Sequence, residues 1–218
     1  MIPKIIHCCW LSGGPKTELA KRCLASWRHF APECEIREWT LADFPDASAL
    51  PPFFAEAVRQ RKWAFAADWL RFYVLHERGG VYFDLDFELV ERFVPDSEFV
   101  AGQWMPDGRV GMEPAAIALE KGSPIAAAMM DRYAKAAFDN RTTVGEILQT
   151  IPEAKGLRVL PPEVMSPIDI EGRVRRTEKT VGVHWCAMSW CGPRRKLARW
   201  LNWHGLRPLV DLFLRLKR

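Results

Sequence analysis

Two aspartates one residue apart follow a short apolar run near the middle of the chain. Residues 81–83 precede Asp84 and Asp86, with Leu85 between the two acids. On an extended backbone both carboxylates would point the same way and Leu85 would point into the core. Converging carboxylate oxygens suit Mg²⁺ or Mn²⁺, which complete their coordination with water and phosphates. The spacing therefore predicts a metal and diphosphate site, and solvated acids at a strand end are the alternative interpretation.

A helix must come immediately before this strand. Residues 64–78 are rich in helix-forming side chains and stop at the pair Gly79 and Gly80, a common way for a helix to end. Asp68 and Arg71 are three residues apart, so they share one face of that helix. The pair could be no more than a solvated salt bridge.

The order of helix, glycine pair, strand and acid pair resembles the sugar-binding Asp-x-Asp region of glycosyltransferase family 32. Proteins of that family, which includes mannosyltransferases and capsule-synthesis enzymes, carry a Ser-Asp-x-Leu-Arg-Tyr helix and then Gly-Gly-x-Tyr-x-Asp-x-Asp. Residues 79–86 match the second segment, and residues 67–72 resemble the first, with Ala67 in place of the serine. The resemblance implies a GT-A-like fold and transfer of a hexose from a nucleotide-sugar.

The resemblance extends toward both ends of the chain. Residues 2–7 followed by Trp10 are similar to the family's opening strand, which ends in a tryptophan near the nucleotide base. His184 with Trp185, and Ser189 with Trp190, are similar to a C-terminal segment that closes over the donor and can add a metal ligand. Pro114 departs from the family near a position where many relatives carry Asn or Asp.

The resemblance implies a role for each matched residue. The implied metal ligands, for Mn²⁺ or Mg²⁺, are Asp84, Asp86 and His184, and a buried structural histidine is the alternative for the last. The implied catalytic residues are Asp68, Arg71, Asp84 and Asp86. The implied donor-binding residues are His7, Trp10, Asp68, Arg71, Tyr82, Asp84, Ser189 and Trp190. The resemblance also implies retention of the anomeric configuration, and the sequence offers no clear second carboxylate as a nucleophile.

Strand and helix signals alternate along the chain. Strands are expected at 2–10, 34–39, 81–83, 97–104, 115–119, 157–160 and 180–186, with helices at 16–30, within 52–78 and at 124–138. Such alternation predicts an α/β fold: a single Rossmann-type nucleotide-sugar-binding domain with a mixed central sheet and helices on both faces. Ligands bind at the carboxyl edge of such a sheet, where Trp10 and Asp84 would lie.

Composition agrees with one domain over residues 1–192. A chain of 218 residues with 49% hydrophobic content can bury a sizeable core. The six cysteines have no Cys-x-x-Cys or zinc-like spacing, so reduced thiols in a cytoplasmic protein are expected. No signal peptide and no membrane-spanning run is expected.

The segment 193–218 differs from the rest in charge. It holds eight Lys or Arg and one acid, a net charge of +7, which leaves 4 − 7 = −3 for residues 1–192. Trp, Leu and Phe side chains lie between the cations, as in helices that lie on anionic membranes. We expect a basic amphipathic helical segment, interrupted at Pro208, that attaches the protein to the inner face of the membrane. Packing on the domain or on a second copy is the alternative, and nucleic-acid binding explains the apolar content less well.

Two further interpretations belong to other classes. The acid-containing strand also resembles the nucleophile strand of haloacid-dehalogenase-type phosphatases, although Glu88 stands where those enzymes carry Thr or Val. A catalytically inactive membrane-associated scaffold of the same fold is the other alternative. If the protein is a glycosyltransferase, its expected partners are a UDP- or GDP-sugar and an acceptor. The acceptor would be a glycan or lipid-linked saccharide of cell-surface polysaccharide or lipopolysaccharide synthesis. The sequence does not identify the sugar.

Overall fold

The computed structural model describes residues 1–44, 50–138, 142–168 and 172–187, together with Leu197 and Leu201. The strands in these ranges are β1 (Ile5–Cys9), β2 (Glu35–Trp39), β3 (Gly80–Phe83), β4 (Phe87–Leu89), β5 (Phe99–Trp104), β6 (Val110–Leu119), β7 (Arg158–Leu160) and β8 (Gly182–His184). The helices are α1 (Glu18–Phe30), α2 (Pro52–Arg59), α3 (Trp63–Arg78), α4 (Pro124–Lys135), α5 (Val144–Thr150) and α6 (Pro162–Met165).

Six of these strands form a mixed central sheet in the order β2-β1-β3-β6-β5-β7. Strand β1 runs parallel to β2 and β3, whereas β6 runs antiparallel to β3 and β5. The carboxyl ends of β1, β2 and β3 therefore share one edge with the amino-terminal part of β6. The predicted α/β fold with a mixed sheet is confirmed.

Both faces of the sheet are covered. Alternate side chains of β3 enter different hydrophobic clusters. Tyr82 packs with helices α2 to α5, and Val81 and Phe83 pack with α1, α6 and β4. Trp27 of α1 anchors the second cluster, because its buried Nε1 donates a hydrogen bond to the Phe87 carbonyl oxygen at 2.8 Å. This two-sided burial fixes the direction in which β3 delivers the residues that follow it.

Local sequence signals explain where the elements start and stop. Thr17 caps α1 by accepting a hydrogen bond from the Ala20 amide, and α2 and α4 begin with proline, which is tolerated at a first helical turn. Helix α3 ends at Gly79 (φ 64°), and Gly80 has φ 112°. A Cβ on Gly80 would lie 2.6 Å from the Ile5 carbonyl oxygen, so only glycine lets β3 start directly against β1.

The structure departs from the predicted elements in several places. The predicted strand 2–10 is limited to β1, and the predicted strand 115–119 begins earlier, at Val110. The predicted strand 180–186 contains β8, which does not join the central sheet but pairs antiparallel with β4. Strand β4 and helices α5 and α6 were not predicted. None of the described helices is long and apolar enough to cross a membrane.

Candidate metal and donor site

The acid pair lies in the turn between β3 and β4. The Phe87 amide donates to the Asp84 carbonyl oxygen at 2.8 Å, and the Asp84 amide donates to Ala115 of β6 at 2.9 Å. Residues 84–86 therefore form a turn and do not continue the strand. The extended backbone expected for them from the sequence is wrong. Leu85 nevertheless packs against the core. The turn brings both carboxylates to the same side, so the predicted convergence is reached by another backbone path.

Pairing of β4 with β8 brings His184 to the acids. Phe87 is opposite His184 in that pairing, and the Trp185 amide donates to the Asp86 carbonyl oxygen at 2.9 Å. His184 Nε2 lies 3.3 Å from Asp86 Oδ1, and the Ala187 amide donates to Asp86 Oδ2 at 2.6 Å. One ligand atom each from Asp84, Asp86 and His184 lies within 4.8 Å of the others. The structure thus brings together the three residues for which metal ligation was predicted.

A further acid, Glu113 of β6, also faces this group. Its Oε2 lies 3.7 Å from His184 Nδ1. The register of β5 against β6 jumps between Val100 and Ala101, which pair with Ile117 and Glu113, so residues 114–116 of β6 have no partner on β5. Bulges re-aim side chains near active sites. Sequence reasoning missed Glu113, and the available signal was an acid before Pro114 inside an apolar run.

Arg71 lies beneath the acids and holds them together. Its Nη2 donates to Asp68 Oδ1 at 2.9 Å and lies 3.4 Å from Asp84 Oδ1, while Nη1 donates to the Pro114 carbonyl oxygen at 2.6 Å. The guanidinium also lies over the Tyr82 ring, 4.9 Å from its centroid. Since Arg71 is only 4% exposed, it acts through Asp68 and Asp84, and this placement does not support its predicted direct contact with the donor.

The pKa values of the three aspartates shift in different directions. Burial raises the pKa of Asp68 to about 7, with Arg71 opposing and the charges on Asp84 and Glu113 adding to the rise. Burial likewise raises the pKa of Asp84. For Asp86 burial acts upward, but His184 and the Ala187 amide outweigh it and lower the pKa to about 2. Burial disfavours the His184 cation, yet Cys186, Asp86 and Glu113 raise its pKa well above the ordinary value.

The charges and atom types of this site fit a divalent cation. Four carboxyl groups (Asp68, Asp84, Asp86 and Glu113) surround one arginine and one histidine, so with all four ionised and His184 protonated the group carries two negative charges, and a bound cation would favour that ionised state. Carboxylate oxygens with one imidazole nitrogen are a donor set that Mg²⁺ or Mn²⁺ accepts. Asp84, Asp86 and His184 would hold the ion, and the side chains of Asp68 and Glu113 would stay beside it.

Two residues predicted to bind the donor are buried instead. His7 is 1% exposed; its Nε2 donates to the Gly79 carbonyl oxygen at 2.9 Å, and its Nδ1 accepts from Trp39 Nε1 at 3.1 Å. Tyr82 is equally buried, and its hydroxyl contacts Cys9 Sγ at 3.1 Å. With no free atom on its ring, His7 connects β1, β2 and the α3–β3 turn. These placements do not support direct contact with a donor, and Tyr82 supports Arg71 from below.

Trp10, by contrast, lines an open cleft. The cleft has a volume of about 600 Å³ and lies at the carboxyl ends of β1 and β2, with Trp63 and Arg61 on its other side. Trp10 is half-buried, and its Nε1 donates to the Gly14 carbonyl oxygen at 2.6 Å, which fixes the ring. Because β1 and β3 are parallel neighbours, this cleft and the acid pair lie at the same edge of the sheet. Ser189 and Trp190 lie outside the described residues.

A known protein family matches part of the first half of the chain. Residues 17–107 match the family described as glycosyltransferase sugar-binding region containing DXD motif. These residues include Asp68, Arg71 and the acid pair, and the motif's two aspartates correspond to Asp84 and Asp86. No curated protein sequence matches the chain.

Solved structures share the fold. A structure named PaToxG glycosyltransferase aligns with a TM-score of 0.50 and 21% identity, over 60% of this chain and 59% of the other, so the chain spans about three fifths of that protein. A glycosyltransferase involved in glycosylation of the major capsid of PBCV-1 aligns with a TM-score of 0.52 and 11% identity, over 84% of this chain and 93% of the other. The fold is therefore that of GT-A-like glycosyltransferases, and the match over residues 17–107 supports a glycosyltransferase enzyme with an Asp-x-Asp sugar-binding region.

Proposed function

We propose that the protein is a metal-dependent retaining glycosyltransferase of the family 32 type. It moves a hexose from a UDP- or GDP-sugar to a glycan or lipid-linked saccharide in cell-surface polysaccharide or lipopolysaccharide synthesis. The observation that carries the proposal is the convergence of Asp84, Asp86 and His184 at the sheet edge. The two aspartates lie inside the matched sugar-binding region, and His184 lies on a strand that pairs with it. Resemblance to family 32 adds the retention of configuration and the type of acceptor.

The described residues divide the work by position. The cleft beside Trp10 offers an aromatic face and Arg61 to a nucleotide base and ribose. Asp68, whose side chain is 15% exposed, offers carboxylate oxygens to sugar hydroxyl groups. Arg71 holds the side chains of Asp68 and Asp84 in place through its ion pairs with both. A bound divalent cation would neutralise the charge that develops on the leaving diphosphate.

A thermal-shift screen tests the donor site. UDP, GDP and their sugars are added with and without Mn²⁺, because a ligand that binds only the folded protein raises the midpoint with its affinity. We expect one nucleotide class to raise the midpoint only when Mn²⁺ is present. Asp86→Asn should lose that shift, whereas Asp131→Asn, an exposed acid on α4, should keep it.

The reaction itself is tested by incubation with a nucleotide-sugar panel. Slow, metal-dependent release of a nucleoside diphosphate supports the transferase. Release of inorganic phosphate would instead indicate a phosphatase, and no release together with no thermal shift would indicate an inactive scaffold. Near wild-type turnover by Asp86→Asn with Mn²⁺ present would show that the metal site is assigned to the wrong residues.

A further inference from the structure

Glu113 occupies a position that none of the proposed steps uses. Its side chain is 16% exposed and faces the imidazole of His184 rather than open solvent. Within the described part of the chain its carboxylate makes no hydrogen bond, so it contributes no obvious fold-stabilising contact.

The backbone on both sides of Glu113 is held firmly. The Pro114 carbonyl oxygen accepts the hydrogen bond from Arg71 Nη1 at 2.6 Å. On the other side, the Met112 carbonyl oxygen packs so closely on α5 that a Cβ at Gly145 would lie 2.2 Å from it. The carboxylate is therefore presented from a fixed strand segment, as a positioning residue needs to be.

The two ring nitrogens of His184 face different partners. Nε2 faces Asp86, on the side of the acid pair, and Nδ1 faces Glu113 Oε2 at 3.7 Å and Cys186 Sγ at 3.4 Å. An imidazole that binds a metal through Nε2 carries its proton on Nδ1, and the partner of Nδ1–H sets that tautomer. A carboxylate is a much stronger acceptor than a thiol sulfur.

We propose that Glu113 is a positioning residue that accepts a hydrogen bond from His184 Nδ1–H and so holds Nε2 toward the metal. The present 3.7 Å is too long for a hydrogen bond, and a closure of about 0.8 Å would form one. Such a movement is a small rotation of the ring when Nε2 turns from Asp86 to the ion. The proposal rests on the proposed function, because it needs a cation bound by Asp84, Asp86 and His184.

The test measures Mn²⁺ affinity directly, from the loss of the free-ion EPR signal on titration with the full-length protein. Partners of this kind typically change metal affinity 10- to 100-fold. We expect about that weakening for Glu113→Ala and a smaller one for Glu113→Gln, whose amide oxygen still accepts. Cys186→Ala should bind Mn²⁺ as the wild type does, and Asp86→Asn should lose specific binding.

A spectroscopic reading separates positioning from general damage to the fold. With Mg²⁺ as a diamagnetic ion, ring ¹⁵N shifts of His184 should show the Nδ1–H tautomer in the wild type and mixed tautomers in Glu113→Ala. Weakened binding in Cys186→Ala but not in Glu113→Ala would overturn the proposal in favour of the thiol. Unchanged affinity and tautomer in Glu113→Ala would overturn it outright. Wild-type affinity in Asp86→Asn would overturn the metal site itself.

Discussion

At the scale of single residues, equal spacing in sequence gives unequal energetics. Glu56 and Arg59 on α2 and Asp68 and Arg71 on α3 are both i, i+3 ion pairs. The Arg59 side chain is 72% exposed, whereas that of Arg71 is 4% exposed. An exposed pair contributes little because water screens it, whereas a buried charge that loses its partner has no such compensation.

This contrast predicts that replacing arginine by methionine has a large effect on stability at one site and a small effect at the other. Arg71→Met leaves Asp68 and Asp84 without their cation, and we expect it to lower the free energy of unfolding by about 3–5 kcal/mol. Arg59→Met is the matched control and should leave it nearly unchanged, because water screens the exposed pair. Urea denaturation at pH 7 measures both, and equal effects of the two substitutions would contradict the bridging role of Arg71.

Residue spacing predicted the acids that lie in one short segment, whereas the residues that long-range pairing supplies were found only through family resemblance or were missed. Asp84 and Asp86 follow from spacing alone, and His184 followed only from family resemblance. Glu113 reaches the site because β6 bulges against β5, which no local pattern specifies. The resemblance implied that His7 binds the donor, and its burial could not be predicted because it depends on Trp39 and Gly79, which are distant in sequence.

At the scale of elements, His7 ties together two strands and a turn as a neutral side chain. Burial lowers its pKa from 6.5 to about 4, with the charges of Arg78 and Arg37 acting the same way and the hydrogen bond to Gly79 opposing. In the unfolded chain the imidazole takes up a proton near pH 6.5. Between these two pH values the unfolded state binds more protons, so stability falls as the pH falls.

We therefore expect acid to weaken the wild type more than a variant without this group. Between pH 7 and pH 4 the wild type should lose about 3 kcal/mol of unfolding free energy relative to His7→Gln. Urea titrations at several pH values measure the difference. His29→Gln, on the exposed face of α1, is the control substitution, and equal pH dependence of the wild type and His7→Gln would contradict the expectation.

Helix α5 shows how close packing can reverse a propensity rule. Alanine is a better helix former than glycine by about 1 kcal/mol, so Gly145→Ala should stabilise an isolated helix. In the folded protein the new methyl group would lie 2.2 Å from the Met112 carbonyl oxygen and force α5 away from β6. We expect a destabilisation of about 1–3 kcal/mol. Thermal or urea unfolding measures it, and Gly156→Ala, with no atom within 4 Å of its Cβ position, should have little effect.

The elements themselves were predicted well where the sequence signal was local. Helices α1, α3 and α4 and strands β1, β2, β5 and β7 correspond to predicted segments, because caps, prolines and apolar periodicity mark them. Strand β4 was missed because it follows the Asp84–Asp86 turn without a break and is only three residues long. Its partner β8 could not be paired from sequence, since 92 residues separate Leu89 and Gly182, which lie opposite each other.

At the scale of the whole molecule, the charge of the sequence differs between residues 1–192 and residues 193–218. Residues 1–192 carry −3 and residues 193–218 carry +7. Most of that segment lies outside the described residues, but Leu197 and Leu201, four residues apart, are both helical. Apolar residues at this spacing share one face of a helix, as an amphipathic membrane-binding segment requires. We propose on this basis that the segment holds the protein at the inner face of the cell membrane, near lipid-linked acceptors.

Binding to vesicles tests this proposal through its charge dependence. Each cation near an anionic surface contributes about 1 kcal/mol, so replacing Arg194, Arg195, Lys196 and Arg199 by Gln should weaken binding to vesicles containing phosphatidylserine by about three orders of magnitude. Replacing four exposed cations of the domain (Lys21, Arg59, Arg109 and Lys135) by Gln is the matched control and should leave most of the binding intact. Cosedimentation at rising salt measures both, since screening shortens the reach of these charges. Equal loss of binding in the two variants would show that the net charge of the protein alone governs binding. If the wild type bound neutral vesicles as strongly as anionic ones, the apolar face of the segment would be the main contributor to binding.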